Sequence, residues 1–293
     1  MRMKIGYIIH AYKNPKQLKR LVLTLADRDI NFFIHIDKKI DIRPFNDELK
    51  TLNINSITWV KREYSNWGTF ACVRAVLNAL EAGLKHDPKI DYFYCLSGQD
   101  YPIKSNSEIA HFLEKFKDRS FVLHFPLPYS GWKSGGLHRF ARYHFIISKN
   151  RYIRRIVNIL NFFLPRRHFP LGMRPYGGDF YMGLNRAAAE FVVAFQSANP
   201  DFNAFFNYVY IPEELYFPSL LLSADAAEQK LLIENRALTR SDWTKPKGPY
   251  PATMEYVDME ALSREDYLFA RKFDINLTPE IFDQLDFMRN NDQ

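Results

Sequence analysis

Cysteine is scarce in this sequence, which has only two cysteines among 293 residues. Cys72 and Cys95 both lie in apolar stretches, at positions 70–76 and 93–96. Two such residues cannot supply a disulfide framework, and cysteines with apolar neighbours are more often reduced core residues. We therefore expect both thiols to be free and packed in the interior.

Long apolar runs are also missing. A helix that crosses a bilayer needs roughly 20 apolar residues, and the best run here, residues 156–164, is too short. The first ten residues enter a strand pattern at once, without the apolar run and small-residue cleavage site of a signal peptide. We therefore expect a cytoplasmic protein that lacks a membrane span.

Acidic residues are in the minority, because 40 Lys and Arg face 33 Asp and Glu, which gives a net charge of +7. Such a surface attracts anions. The balance alone leaves nucleic acids, phosphorylated sugars and an acidic membrane face open as partners. Arginine and aromatic residues are concentrated at positions 129–175, which indicates an insertion with a binding role.

Apolar residues are abundant, at 47% of the chain, and they alternate between strand and helix patterns. This alternation predicts a single α/β domain over residues 1–293, with a mostly parallel central sheet flanked by helices. Helices are predicted from position 15, over 70–84 and over 185–196. Strands are predicted at 4–9, 32–36, 57–60, 91–97, 121–125 and 180–184.

Polar side chains follow three of these strands, at His10, Asp37 and Asp100. The carboxyl ends of parallel strands meet at one edge of an open sheet, where ligands bind. An aspartate there also commonly caps a turn or the next helix. Three polar groups on one edge favour a ligand site, and the Asp37 carboxylate suits the hydroxyl and N–H groups of a nucleoside.

A second group of charged residues lies in the other half of the chain. Glu213 and Glu214 follow a proline, a pattern that fits either a helix start or a general base. Arg271 and Lys272 lie between aromatic residues, and they fit either a solvated pair or two cations that neutralise a diphosphate. The Asp-x-Asp at positions 27–29 has an arginine between its carboxylates, so we predict no metal site.

Four segments in this order resemble the core-2/I-branching glycosyltransferases, the family that includes β-1,6-N-acetylglucosaminyltransferases and peptide O-xylosyltransferases. They are residues 64–70, 94–103, 210–217 and 268–274. The resemblance implies a fold of the GT-A glycosyltransferase type with an arginine- and aromatic-rich insertion. It further implies an inverting transferase that uses a UDP-sugar as co-substrate and needs no metal or other cofactor.

The resemblance also assigns roles to residues. Glu214, the second acid of the family's Pro-Asp-Glu motif, is implied as the catalytic base, and Lys272 as a diphosphate ligand. The family's upstream arginine has no clear match, so Arg240, Lys245 and Lys247 are alternatives. Trp67 fits either the donor site or a core anchor for the following helix. The expected donor-binding residues are His10, Asp37, Tyr64, Trp67, Gly68, Asp100, Arg240, Arg271 and Lys272.

The acceptor is expected to meet the insertion and the segments around it, because sugars pair apolar ring faces with rows of hydroxyls. A packing or surface role fits each of these residues about equally well. Residues 138–144, 177–184 and 240–244 resemble acceptor segments of the family, and the resemblance implies Arg139, Arg142, Asp179 and Trp243 as the acceptor-binding residues. Residues 1–128 are accordingly predicted to bind the nucleotide sugar, and residues 129–293 to bind the acceptor and carry the base.

UDP-N-acetylglucosamine is the donor that the resemblance favours, with UDP-xylose, UDP-glucose and UDP-galactose open. We expect a glycan or lipid-linked glycan acceptor and peripheral contact with the inner face of a membrane. Within the enzyme class, a metal-dependent transferase that uses Asp100 stays open. Two other classes are a nucleic-acid-binding protein that uses residues 139–167, which we do not favour, and a membrane-docking module built on residues 151–164.

Overall fold

The computed structural model describes residues 3–145, 163–243, 251–255 and 266–291, together with six positions between these ranges: Tyr152, Arg155, Ile156, Ile159, Asn161 and Leu262. Described strands belong to three sheets. In chain order they are β1 Ile5–Ala11, β2 Ile30–Ile36, β3 Ile57–Trp59, β4 Tyr92–Ser97, β5 Asp100–Pro102, β6 Arg119–Phe121, β7 His124–Pro126, β8 Tyr176–Gly178, β9 Gly183–Asn185, β10 Leu232–Glu234, β11 Thr239–Ser241 and β12 Phe269–Arg271.

Helices lie between and around these strands. Local sequence explains several of their starts: a proline opens the first, and the fourth begins with a complete capping box between Ser105 and Glu108. The described helices are α1 Pro15–Leu25, α2 Arg43–Lys50, α3 Phe70–His86, α4 Asn106–Lys115, α5 His138–Ala141, α6 Arg186–Ala198, α7 Pro200–Phe206, α8 Glu213–Leu221, α9 Ala224–Glu228 and α10 Glu280–Asn291.

The main sheet has seven strands in the order β10-β6-β9-β4-β1-β2-β3. β1 pairs in parallel with β2 and β4, whereas β9 is antiparallel to both β4 and β6. The predicted α/β fold with a mostly parallel sheet is therefore confirmed. Both halves of the chain contribute strands to this sheet, because β9 and β10 come from beyond position 128.

Alternate side chains of the central strands enter two cores on opposite faces of the sheet. Tyr7 and Phe32 pack on the face covered by α1, α2 and α10, and Ile8 and Phe33 pack on the face covered by α3, α6 and α8. Since both faces are covered, β1 and β2 are apolar at almost every position. This double burial explains why their sequences predict strands so clearly.

Two predicted strands are wrong in detail. The segment 121–125 is two strands, because β6 ends at Phe121 in the main sheet and β7 starts at His124 to pair with β8. The segment 180–184 pairs only from Gly183 onward. The chain changes sheets at these points, and pairing of that kind depends on distant partners rather than on local pattern.

The helix that carries the two adjacent glutamates runs continuously from Glu213 to Leu221 with Pro218 inside it. Pro218 therefore does not separate the first turn from the rest of the helix. Proline has no N–H for the helical bond that the carbonyl of Glu214 would otherwise accept. Gly178 of β8 approaches so closely that an added Cβ would lie 2.8 Å from Cγ of Pro218 and 2.0 Å from the carbonyl oxygen of Leu123.

Candidate active site

His10 lies near the carboxyl end of β1, opposite His35 of β2 and Ser97 of β4. Its ring is 5.0 Å from the His35 ring and 5.3 Å from the Phe180 ring, measured between centroids. Its Nε2 is buried and meets no hydrogen-bond partner among the described residues. Burial, with a smaller contribution from His35, lowers the pKa of His10 well below its usual value, so the ring is neutral at physiological pH. Its contact with a donor stays a prediction.

Asp37 follows β2 and organises the turn there. Its Oδ1 accepts hydrogen bonds from the backbone N–H of Lys39, at 3.0 Å, and of Ser65, at 3.3 Å. Its Oδ2 lies 3.9 Å from Nζ of Lys39. The turn role considered from sequence is thus observed, and it joins the end of β2 to the loop that carries the predicted donor-site aromatics. A nucleoside contact stays a prediction.

Tyr64 and Trp67 lie on that loop with exposed rings, Trp67 at 70%. Nζ of Lys38 lies 5.1 Å from the centroid of the Tyr64 ring, and Trp67 makes an edge contact with Tyr210. The alternative that Trp67 anchors α3 in the core is wrong, because the buried Phe70 fills that place. Both exposed rings can stack on a planar ligand.

Gly68 connects this loop to the segment that carries the glutamates. Its φ of 75° lies in the left-handed region that favours glycine. Its carbonyl accepts a hydrogen bond from the N–H of Ile211 at 3.3 Å, and the neighbouring Tyr210 donates to the carbonyl of Arg139 at 2.8 Å. The two residues before Pro212 are therefore held from both sides, which sets the direction in which α8 begins.

Glu214, on the first turn of α8, forms an ion pair with Arg139 of α5 through Oε2 and Nη1. The Arg139 guanidinium lies over the ring of Trp132, 3.6 Å from its centroid. The Glu214 side chain is 26% exposed, so an incoming molecule can reach it. Burial raises the pKa of Glu214, and the charge of Arg139 opposes that rise. An accessible carboxylate of raised pKa is suited to accept a proton.

Glu213 is different from its neighbour. Its side chain is buried, and its Oε2 has no hydrogen-bond partner among the residues that the structure describes. Burial raises the pKa of Glu213 to about 8, and the nearby charge of Glu214 adds to the rise. The group is therefore protonated at neutral pH. It cannot meet a substrate in this arrangement, because no solvent reaches Oε2.

Asp100 has a different position from the one that its sequence predicts. It opens β5, a strand of a second sheet with the order β11-β12-β5, and its side chain is fully buried. Its carboxylate accepts hydrogen bonds from the N–H of Ser97 at 2.6 Å, from Oγ of Ser97 at 2.7 Å and from Nε of Arg271 at 3.0 Å. Asp100 therefore positions Arg271, and its direct contact with a donor or a metal stays a prediction.

Arg271 is opposite Asp100 in the antiparallel β5–β12 pair. The centre of its guanidinium lies 4.3 Å from the centroid of the Tyr181 ring. Neighbouring phenol and carboxylate groups, including Asp100 and Asp179, raise the pKa of Arg271 against the effect of its burial. The cation is thus held in one orientation by a carboxylate on one side and an aromatic face on another.

Asp179 lies close to both arginine–carboxylate pairs. Burial raises its pKa, and the charge of Arg271 opposes the rise. Its own charge in turn raises the pKa of Glu214. One carboxylate oxygen accepts a hydrogen bond from the N–H of Phe180 at 2.7 Å. Asp179 therefore interacts electrostatically with both the predicted base and Arg271.

Lys272 follows β12 and is half-buried. Burial, followed by the charge of Arg271, lowers the pKa of Lys272 to about 8, and Lys13 adds to this effect. Lys13 itself forms an ion pair of 2.7 Å with Asp274. Two adjacent cations in a partly dehydrated environment can bind a dianion strongly, because little water is left to screen them.

Arg240, Lys245 and Lys247 are the alternatives for the family's upstream arginine, and only Arg240 lies among the described residues. Arg240 is next to Ala270 and Tyr101 across the second sheet, on the face opposite to Arg271, and its Nη1 lies 3.7 Å from Sδ of Met254. Its role at the donor stays a prediction. Lys245 and Lys247 lie outside the described residues.

The predicted acceptor residues lie in three different environments. Trp243 is 61% exposed, as an acceptor platform requires. Arg139 and Asp179 lie at the Glu214 carboxylate. Arg142 instead donates to the carbonyl oxygen of Leu164 at 3.2 Å, so its observed role is structural and its acceptor role stays a prediction.

Three residues of the site were not predicted from the sequence: Trp132 under Arg139, Tyr181 under Arg271, and Lys13 near Lys272. Trp132 and Tyr181 lie in aromatic-rich segments, where no local signal separates a platform for a cation from an ordinary core residue. Lys13 precedes Lys272 by more than 250 positions. Only the folded chain shows these proximities.

Within the described ranges, no group of three His, Cys, Asp or Glu side chains could hold a metal ion. No helix in the same ranges is long and apolar enough to cross a membrane.

Both cysteines are free, with Cys95 buried and Cys72 partly buried, so the prediction of unpaired thiols is confirmed.

Comparisons with known proteins place most of the chain in one family. Residues 5–267 match the family described as the Core-2/I-Branching enzyme. A xylosyltransferase of Ciona intestinalis is 25% identical over 291 residues, which covers 93% of this chain and 32% of that protein. Xylosyltransferase 2 of Homo sapiens is 26% identical over 313 residues, which covers 97% of this chain and 33% of that protein. The chain thus spans about a third of the length of these relatives.

Among solved structures, the apo form of mouse xyloside xylosyltransferase 1 aligns with a TM-score of 0.37 and 12% identity, over 91% of this chain and 97% of that one. A 4-diphosphocytidyl-2C-methyl-D-erythritol synthase from Anaerococcus prevotii aligns with a TM-score of 0.40 and 10% identity, over 89% of this chain and 95% of that one.

Proposed function

The chain belongs to the Core-2/I-Branching enzyme family of glycosyltransferases, and from this premise we propose that it transfers a sugar from a UDP-sugar to a hydroxyl of a glycan acceptor, with inversion and without a metal. The acceptor oxygen attacks the anomeric carbon from the side opposite UDP. The bond between that carbon and the diphosphate breaks, its electron pair leaves with UDP, and the hydroxyl proton passes to a carboxylate.

Charge on the departing diphosphate is the main electrostatic cost of this reaction. We assign its neutralisation to Lys272 and Arg271. The support is that Arg271 is held rigidly between Asp100 and Tyr181, so the two cations need little reorganisation when the charge develops. The carboxylate that a metal-dependent route would use is engaged by Arg271, which favours the metal-independent route.

Glu214 is the proposed base. The observation that carries this assignment is the pair of an accessible carboxylate of raised pKa with Arg139. The charge of Arg139 stabilises the deprotonated form of Glu214, which is the form that accepts a proton. Asp179 is the second candidate, because it interacts electrostatically with Glu214 and Arg271 and burial raises its pKa as well. Glu213 is a poor candidate, since its side chain is buried and no solvent reaches its Oε2.

The donor sugar is the least determined part of the proposal. The resemblance in sequence favours UDP-N-acetylglucosamine, whereas the relatives named xylosyltransferases favour UDP-xylose. Tyr64 and Trp67 are expected to contact the nucleotide, so their exposed rings do not distinguish UDP-N-acetylglucosamine from UDP-xylose. Both donors therefore belong in the first experiment, together with UDP-glucose and UDP-galactose.

The test is a thermal-shift panel of UDP and these four UDP-sugars, each with EDTA and with Mn²⁺, followed by donor hydrolysis assays for the sugars that bind. We expect stabilisation by UDP and by one or two UDP-sugars that is equal in EDTA and in Mn²⁺. Stabilisation only with Mn²⁺ would support the metal-dependent alternative. No response to any uridine nucleotide, together with binding of oligonucleotides, would favour the nucleic-acid-binding alternative.

A further inference from the structure

Four large apolar side chains lie exposed at helical positions of the insertion. Tyr152, Ile156, Ile159 and Phe163 are all helical, and each is more than half exposed, with Phe163 at 79%. Their spacing of four, three and four residues places them within about 60° of one another around a helix. We call these four residues the apolar face.

The apolar face is exposed to solvent. By the same helical spacing Asn161 falls opposite the apolar face, and its side chain bonds the backbone of Tyr143 in both directions. One side of the segment is thus fixed to the body of the domain. Single exposed apolar residues are ordinary, but a contiguous exposed set of this size marks an interaction surface.

The charge around the apolar face has one sign. Residues 129–175 contain eight arginines and two lysines but no aspartate or glutamate. Arg155 lies beside the apolar face and Arg166 just beyond its end, and both are exposed. Arginines around apolar and aromatic side chains are the composition of a segment that lies in the interface of an anionic membrane. A protein partner would have to be strongly acidic to complement the positive charge of this segment.

The apolar face is also joined to the candidate active site. Arg142 donates hydrogen bonds to the carbonyl oxygens of Asn161, at 3.4 Å, and Leu164, at 3.2 Å. Arg142 directly follows α5, the helix whose Arg139 pairs with Glu214. A surface bound by the apolar face would therefore lie on the side of the molecule where the acceptor is expected.

From this arrangement we propose that the apolar face docks on the surface of an anionic lipid bilayer. Phe163 and the two isoleucines enter the boundary between headgroups and acyl chains, and Arg155 and Arg166 bind lipid phosphates. The contact is peripheral and reversible, and it does not depend on the identity of the donor or of the catalytic base.

The test uses the full chain in flotation assays with vesicles of phosphatidylcholine, with and without phosphatidylglycerol. We expect binding that requires phosphatidylglycerol and weakens at high salt. The double variant Ile156→Glu with Phe163→Glu is expected to bind at least about tenfold more weakly, because charged side chains replace apolar ones at the interface. Ile156→Ser with Phe163→Ser is a milder pair that serves if the charged pair folds poorly.

The matched control is Leu23→Glu, which places the same charge at an exposed apolar position on α1, where Leu23 is 57% exposed. It is expected to bind vesicles as the parent chain does. Donor hydrolysis in solution is expected to be unchanged in all of these variants, so that failure of the proposed enzymatic activity would be seen separately.

Four results would overturn the proposal. The parent chain could fail to bind phosphatidylglycerol vesicles, or the double variants could bind them as well as the parent. Finally, light scattering could show a dimer that the double variants convert to a monomer, which would assign the apolar face to a second copy of the chain. Loss of vesicle binding in the presence of excess oligonucleotide, with the double variants still binding the oligonucleotide, would likewise assign the charged surface to nucleic acid.

Discussion

Two arginine–carboxylate pairs lie in the candidate site, and their surroundings differ. The Asp100–Arg271 pair joins β5 to β12, and its carboxylate is 0% exposed. The Glu214–Arg139 pair joins α8 to α5, and its carboxylate is 26% exposed. Each guanidinium also lies over an aromatic ring, Tyr181 in the first pair and Trp132 in the second. The Asp100–Arg271 pair is therefore buried and supports the site, whereas the carboxylate of the Glu214–Arg139 pair is accessible to a substrate.

The difference indicates separate tasks. In the sealed pair the Asp100 carboxylate is satisfied internally, so Asp100 fixes Arg271 and, through the chain, the neighbouring Lys272. In the open pair, Arg139 takes one carboxylate oxygen of Glu214 and leaves the group accessible for proton transfer. The comparison makes four predictions, which follow in order of the expected effect.

Glu214→Gln should abolish most turnover, because the amide cannot accept the acceptor proton. We expect kcat to fall by about 10²- to 10⁴-fold, with UDP affinity unchanged. Steady-state kinetics and calorimetric titration with UDP check both parts. Asp179→Asn is the discriminating variant: if Asp179→Asn loses turnover while Glu214→Gln retains it, the open pair is not the site of proton transfer and Asp179 is the base.

Asp100→Ala should unfold the protein far more easily, because it leaves Arg271 buried without its carboxylate. We expect a loss of about 3–5 kcal/mol in the free energy of unfolding, measured in urea. Asp41→Ala is the control, since the Asp41–Arg43 pair is exposed to solvent and contributes little to stability. Equal losses in the two variants would contradict the distinction between sealed and open pairs.

Glu213→Gln sharpens the comparison, since Glu213 is a buried carboxyl group without a guanidinium. Its pKa is raised to about 8 in the folded state. Its favourable contribution is therefore fully present below the unfolded pKa, about 4.3, and is lost as pH rises to about 8. We expect the parent to lose about 4 kcal/mol between pH 5 and pH 8.5 relative to Glu213→Gln. If the difference in unfolding free energy between the parent and Glu213→Gln were the same at pH 5 and pH 8.5, the raised pKa of Glu213 would be ruled out.

Lys272 should give the smallest effect, a dependence of UDP affinity on pH. Its pKa is lowered to about 8 by burial and by Arg271. Affinity for UDP should therefore fall as pH rises past about 8, and Lys272→Ala should bind UDP about tenfold more weakly at pH 7. Lys272→Arg keeps its charge and should lose the dependence on pH in this range. A parent chain with constant affinity from pH 7 to 9.5 would contradict the role of Lys272.

Much of the fold was predictable from local sequence. Burial on one or two faces requires an apolar pattern, and such patterns mark β1, β2, β4 and α3. All four elements were predicted within a few residues. The errors lie where the chain changes sheets, at 121–125 and 180–184. Strand pairing there is decided by partners such as β8 and β10, which are distant in sequence, so no local pattern could indicate the break.

The candidate site was predictable as a set of residue types rather than as an arrangement. Motif resemblance pointed to Glu214, Lys272 and Asp179, and the structure brings them into one region. It did not indicate that Asp100 is sealed beneath Arg271 or that Arg142 holds the insertion. Those contacts depend on which face of a strand each side chain occupies in the second sheet and in the insertion, and that is set by long-range pairing.

Composition, apolar periodicity and a few ordered motifs determined the α/β class, the unpaired cysteines and the family, because these properties depend on neighbours along the chain. Tertiary structure alone decided which carboxylate is accessible, which is neutralised and which stays protonated. The physical reason is that burial and the distance to an opposite charge control the ionisation of each group, and both are properties of the packed chain.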